Sequence, residues 1–190
     1  KAQGIDVVSI PVSGETRTNV SGVTPGGRKH IKVNEKGPTI SESELQQVFQ
    51  YISDKASKGT LWVLAGSIPP GVDVTVYQQM IQKIKELGGD VVLDTSGAAL
   101  KQGVQAKPKL VKPNLFELSQ LTGREITNLQ EILDNPGITR SVGAEFVAIS
   151  AGEKGALLTD GNNTALCLPP EIQEANPVGA GDAMVAGLSF

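Results

Sequence analysis

Four short apolar runs, each ending in a polar or glycine-containing loop, most restrict the folds open to this chain. They are Leu61–Ala65, Val91–Leu93, Leu110-Val111 and Phe146–Ile149. Helical patterns follow the first three. One starts at Asp73 and places Val76, Tyr77, Met80, Ile81, Ile84 and Leu87 on one face; the others cover Ala98–Gly103 and Asn114–Thr122. A run that is apolar throughout has no polar face to give to water, so each reads as a strand of a buried parallel sheet. Repeated strand–helix units predict an α/β fold, a mostly parallel sheet with helices on both faces. Ligands of such sheets gather beyond the C-terminal ends of the strands. Ser67, Asp94, Lys112, Asn114 and Ser150 all fall at those ends, and their joint placement says more than any one of them.

The flanking segments add detail. Asp6–Val12, Thr16–Val23 and His30–Val33 alternate as strands, with Thr24-Pro25-Gly26-Gly27 as a turn. Residues 5–35 therefore predict part of a small antiparallel β unit, and residues 36–190 the α/β core. Ser41 and Glu44 form a capping box for a helix whose apolar face is Leu45, Val48, Ile52 and Ala56, with Gly59 as its stop. Leu129–Ser141 contains Asn135-Pro136-Gly137, which predicts a short helix and then an irregular loop. Ala156–Thr159 and Thr164–Leu168 flank Asp160-Gly161-Asn162-Asn163, a hairpin signature. The glycines after Ser150 thus open no helix, which argues against a dinucleotide fingerprint, and there is no Walker A motif.

Chemistry concentrates between Asn176 and Gly187. Gly179 and Gly181 free the backbone to turn sharply ahead of helix-forming Ala183–Ala186. Unpaired N–H groups at a helix start attract developing negative charge, and Asp182 beside them could take a proton from a hydroxyl. The competing reading makes Asp182 only an N-cap. A net charge of −3 and a pI near 5.2 argue against nonspecific binding to nucleic acid or to an acidic membrane surface. No apolar stretch approaches the roughly 18 residues of a membrane span. The lone Cys167 permits no disulfide framework; in its apolar run it reads as a small core residue in a reducing, cytoplasmic compartment. His30, the only histidine, can form neither a triad nor a metal cluster by itself.

Together these motifs resemble the ribokinase-like, pfkB-type carbohydrate kinases, in their 1-phosphofructokinase and tagatose-6-phosphate kinase branch. Glu15–Asn19, Gly66–Gly71, Leu93–Gly97, Val111–Asn114, Leu115–Glu117, Ser150–Gly152 and Asn176–Gly187 carry the likeness, in the family's order and at similar spacing. The resemblance implies an enzyme that transfers the γ-phosphoryl group of ATP, with Mg2+, to a hydroxyl of a ketohexose phosphate. Fructose 1-phosphate is the preferred substrate, with tagatose 6-phosphate and fructose 6-phosphate close behind. On the matched positions it implies Asp182 as general base and Gly179, Ala180 and Gly181 as an anion hole. Lys112, Asn114, Ser150, Gly152 and Gly181 would surround the nucleotide. Ser67 and Asp182 would face the sugar, Arg17 would grip its phosphate, and Glu117 would reach magnesium through water.

The β unit resembles the family's lid, which often also mediates dimer contacts. The family's first third and its final segment have no counterpart here, so the chain reads as an incomplete part of a longer protein. Two other readings stay open. A kinase of an unphosphorylated sugar or a nucleoside needs no cation at Arg17, and a nucleotide- or sugar-binding module needs no base.

Overall fold

The computed structural model describes residues 4–23, 30–170 and 178–189. The expected turn at Thr24–Gly27 and the pair Asn176-Pro177 lie outside the described residues. The chain divides into two compact units, residues 1–55 with 68–73, and residues 56–67 with 74–190.

In the first unit β1 (Asn19–Val23) pairs antiparallel with β2 (His30–Asn34). Side chain and backbone extend the pairing: the Thr18 N–H donates to Glu35 Oε2 at 2.7 Å and the Glu35 N–H to the Thr18 carbonyl at 3.3 Å. The strand expected from Thr16 thus begins at Asn19. Asp6–Val12, also expected as a strand, is not one; its alternation has no partner ladder among the described residues, and Ile5, Val7 and Val8 stay exposed. Helix α1 (Glu42–Lys55) starts with the expected capping box. Glu44 accepts the Ser41 N–H at 2.7 Å, and its own N–H donates to Ser41 Oγ at 3.3 Å. The Ser13 N–H donates to the other carboxylate oxygen. These bonds, the backbone N–H of Ser41 foremost, hold Glu44 at about 2, below the ordinary 4.5.

The second unit is built on six strands in the order β3-β4-β5-β6-β7-β8. They are β3 (Leu61–Ala65), β4 (Asp90–Asp94), β5 (Leu110–Val111), β6 (Phe146–Ser150), β7 (Ala156–Thr159) and β8 (Thr164–Cys167). The first four run parallel, and the last two form the expected antiparallel hairpin. Its turn is fixed by Asp160, whose Oδ1 accepts the N–H groups of Asn162 and Asn163 at 2.8 and 2.7 Å.

Strand alternation divides the apolar residues between two faces. On one, Leu93 packs beneath α2 (Val76–Glu86) and α3 (Gly97–Gly103). The approach is so close that a Cβ on Gly103 would lie 2.6 Å from Leu93 Cδ2. On the other face Val92, Leu110 and Ala148 form a buried cluster with Val185 of α6 (Ala180–Leu188). Each of the valine and leucine side chains contributes roughly 1.5–3 kcal/mol by leaving water. The sheet is mostly parallel with helices on both faces, as expected.

Several details differ from expectation. Leu61 and Val63 of β3 are 43% and 44% exposed; among the described strands β3 is an edge, with β4 alone beside it. Cys167 is exposed, not core, since β8 is the opposite edge. The helix expected from Asp73 starts at Val76, and Thr75 provides no side-chain cap. After α4 (Leu115–Thr122) and α5 (Gln130–Asp134), the segment read as an irregular loop is a 3-10 helix over Pro136–Val142. Proline sits at its start, where a missing N–H costs nothing. Among the described residues no helix is long and apolar enough to cross a membrane.

Candidate active site

The parallel register places the polar residues of the sheet's C-terminal edge. Val92 is level with Leu110, and Leu93 with Val111. One step further stand Asp94 and Lys112, two residues beyond Val92 and Leu110 and so on the α6 face. By the same period Ser150 follows Ala148. The row Val92–Leu110–Phe146 is therefore followed on this face by the row Asp94–Lys112–Ala148, with Ser150 one period further, level with Asn114. Lys112 Nζ lies 3.1 Å from Asp94 Oδ1, with the side chains 10% and 18% exposed.

Helix α6 begins against this row. Gly179 is its N-cap at φ 86° and ψ −4°, a conformation disfavoured for a residue with a Cβ. The Gly179 carbonyl accepts the Ala183 N–H at 2.9 Å. The N–H groups of Ala180, Gly181 and Asp182 precede any helical acceptor, and glycine has no side chain to cap them. Lys112 approaches the same turn: a Cβ on Gly181 would sit 3.5 Å from its Nζ and 3.9 Å from its Cε. Asp182 is not the N-cap. It is the third residue of the helix, and exposed, so its carboxylate is left to the surface on which the first turn opens.

The other expected residues distribute as follows. Asn114 caps α4: its Oδ1 accepts the Glu117 N–H at 2.8 Å, while Glu117 Oε2 accepts the Asn114 N–H at 2.9 Å. Ser150 donates its N–H to the Pro113 carbonyl at 3.0 Å, adding an Asn114–Ser150 bridge to the sheet. Gly152 opens a single exposed 3-10 turn, Gly152–Lys154. Ser67 is exposed on the loop after β3. Arg17 belongs to the first unit, just before β1 instead of on a strand. Its aliphatic stem runs past Gly37, within 3.6 Å of where a Cβ would stand. Lys112, Gly181, Asp182 and Ser150 are thus brought to one edge of the second unit.

Two residues escaped the sequence reading. The Gly66 carbonyl, beside Ser67, accepts Thr95 Oγ1 at 2.7 Å and the Tyr77 hydroxyl at 3.1 Å, and the Gly66 N–H donates to the Asp94 carbonyl at 3.0 Å. Burial first, then the negative charge of Asp94, pushes the Tyr77 hydroxyl above its ordinary value. The available signal was a tyrosine at a buried helix position where phenylalanine would pack as well, since a buried hydroxyl needs a partner. Among the described residues no group of three or more His, Cys, Asp or Glu side chains could hold a metal ion.

Residues 1–189 match the pfkB family of carbohydrate kinases. A 1-phosphofructokinase of Rhodobacter capsulatus is 38% identical over 176 residues, 92% of this chain and 56% of its own length. Phosphofructokinase-2 from Escherichia coli, in complex with fructose-6-phosphate, superimposes with a TM-score of 0.87 at 29% identity, covering 99% of this chain and 62% of that one. A possible 1-phosphofructokinase from Thermotoga maritima shares the fold, with a TM-score of 0.77 at 23% identity over 92% of this chain and 56% of that one. The chain spans under two thirds of the length of each of these relatives.

Proposed function

The chain belongs to the pfkB family of carbohydrate kinases, and from that premise we propose that the full protein phosphorylates a ketohexose phosphate at the expense of ATP. The reading is carried by one convergence: the Lys112 ammonium and the uncapped first turn of α6 meet at Gly181, in the turn that also holds Asp182. Asp182 takes the proton of the acceptor hydroxyl as its oxygen attacks the γ-phosphorus, and the bond to the bridging oxygen of ADP breaks. Negative charge on the transferring group is met by the N–H groups of Ala180, Gly181 and Asp182 and by Lys112. Phosphoryl transfer asks a protein mainly for this kind of alignment and charge stabilisation.

Ser150, Gly152 and Asn114 line the nucleotide side in this reading, while Ser67 and Arg17 serve the sugar phosphate. A forked guanidinium suits a phosphate, which favours a phosphorylated over a neutral substrate. Fructose 1-phosphate is placed first, with tagatose 6-phosphate and fructose 6-phosphate next. Magnesium would be held chiefly by the phosphates and by water, where it offsets phosphate charge. Glu117 fits such an outer position, because Oε2 is engaged with the Asn114 N–H and Oε1 accepts no bond from a described residue. Residues 5–35 serve as a lid and residues 36–190 as the core. On the β1–β2 pair Val20 stands opposite Val33, 58% and 59% exposed, an apolar face suited to a second copy of the chain. A single cysteine accords with a cytoplasmic setting.

The test is ADP release by the full protein with ATP and each of the three sugar phosphates, with free fructose and adenosine as controls. Asp182→Asn should lower turnover by roughly 10²–10⁴-fold while ATP binding persists. Unchanged turnover would remove Asp182 as the base, and turnover only on the controls would remove the phosphorylated substrate.

A further inference from the structure

Lys112 poses a problem of order. Its side chain has four rotatable bonds, and a lysine at a sheet edge gains by letting its ammonium run out into water. Here the residue is 8% exposed and the ammonium is turned inward over Gly181. Asp94 is its ionic partner at 3.1 Å. We propose that Asp94 is a positioning residue for the phosphoryl transfer: it holds the Lys112 ammonium against the first turn of α6 before substrates arrive.

Asp94 is suited to this because it is itself held. It ends β4, level with Ala65 of β3, and its carbonyl is tied to the Gly66 N–H at 3.0 Å. The next residue, Thr95, is 7% exposed and hooked onto the Gly66 carbonyl. The carboxylate thus projects from a rigid strand end that is pinned on its far side by the Gly66 backbone, and a site on rigid elements keeps its geometry. Register does the rest, since Asp94 and Lys112 follow the last paired residues of two adjacent parallel strands and leave the sheet on one face. The carboxylate spends its charge on Lys112, so it acts through that lysine and not on the acceptor hydroxyl.

This inference rests on the reading that Lys112 meets the nucleotide or the transferring phosphoryl group, and the experiment separates the two. Wild type, Asp94→Asn, Lys112→Met and the double variant of the full protein are compared for kcat and KM with ATP and with fructose 1-phosphate, and for ATP affinity by calorimetry. Lys112→Met should lower kcat/KM for ATP roughly 100-fold, as loss of one charge-stabilising donor does. Asp94→Asn should lower it roughly 10- to 100-fold, the scale of a group displaced by about 1 Å. The double variant should be no worse than Lys112→Met, with the KM for the sugar phosphate unchanged throughout.

Losses that multiply in the double variant would mean that Asp94 works independently of Lys112, which overturns the proposal. A Lys112→Met enzyme of wild-type efficiency would overturn the reading of Lys112 itself, and the positioning role with it. Asp94→Glu keeps the charge but lengthens the arm, and covers the case in which Asp94→Asn fails to fold. A loss of about tenfold with normal melting supports positioning by reach, whereas wild-type efficiency overturns it.

Discussion

Strands β4 and β5 are bridged twice by an aspartate and a lysine, once at each end, and the two bridges share little beyond their chemistry. At the starting end Asp90 meets Lys109, with side chains 51% and 41% exposed. At the finishing end Asp94 meets Lys112 at 18% and 10%. The outer pair lies beside a cleft of about 330 Å³ lined by Lys85, Lys107, Pro108 and Glu145. The hydrogen bond that the Lys109 ammonium donates to Asp90 raises Lys109 above its ordinary value. Water solvates both of its charges and screens their attraction, so the pair holds little. The inner pair is largely withdrawn from water and lies under the positive end of a helix, where a fixed charge acts at lower effective dielectric. The comparison teaches that an ion pair becomes site machinery through what stands over it, not through its own composition.

The comparison can be broken most directly by removing the lysines one at a time. Lys112→Met should cost roughly 100-fold in kcat/KM for ATP, whereas Lys109→Met should leave steady-state turnover within about twofold, as expected of an exposed pair. Equal losses would erase the distinction. A control on the opposite face of the sheet separates loss of fold from loss of site. Gly103→Ala forces a methyl into Leu93 and should lower stability by about 1–3 kcal/mol in a urea titration, with turnover per folded molecule retained.

Smaller still, Asp90→Asn should lower Tm by no more than roughly 2 °C, and 0.5 M KCl should erase that difference. Glu44 sharpens the contrast from the other side, as a carboxylate held by N–H groups and not by a cation. Its folded value is depressed, so its stabilisation is complete above 4.5 and is lost as pH falls toward about 2. Melting curves between those limits should drop more steeply for wild type than for Glu44→Gln; parallel curves would count against the clasp.

Much of the second unit was legible because continuous apolar runs and capped helices report burial locally. Val91–Leu93, the Asn114–Glu117 capping box and the Asp160–Asn163 turn were read from a few neighbouring residues and stand as read. What failed depended on distant neighbours. Leu61–Ala65 carries the pattern of an interior strand, but its place at the sheet edge is decided by which chain segments lie beside it. Asp6–Val12 alternates like a strand but has no strand partner among the described residues. Asp94 was visible only as one polar residue at one strand end. Its link to Lys112 appears once the register sets the two side by side, 18 residues apart in sequence. On its own residues Asp182 reads sooner as a cap, and as a base only through the family resemblance; the position of Gly179 one turn earlier removes the cap, which no composition rule could do.

The shortness of β5 has a consequence of its own. A strand presents its residues to alternate sides, so the number of residues between Leu110 and Lys112 works as a parity count. With one residue between them, the apolar anchor and the ammonium share a side. Losing or gaining a single residue there would leave the sheet's hydrogen bonds able to form but would deliver the lysine beneath α2 and α3, on the wrong side of the sheet. Drift in this segment is therefore tolerated only in even steps, and a two-residue strand leaves no room to take them.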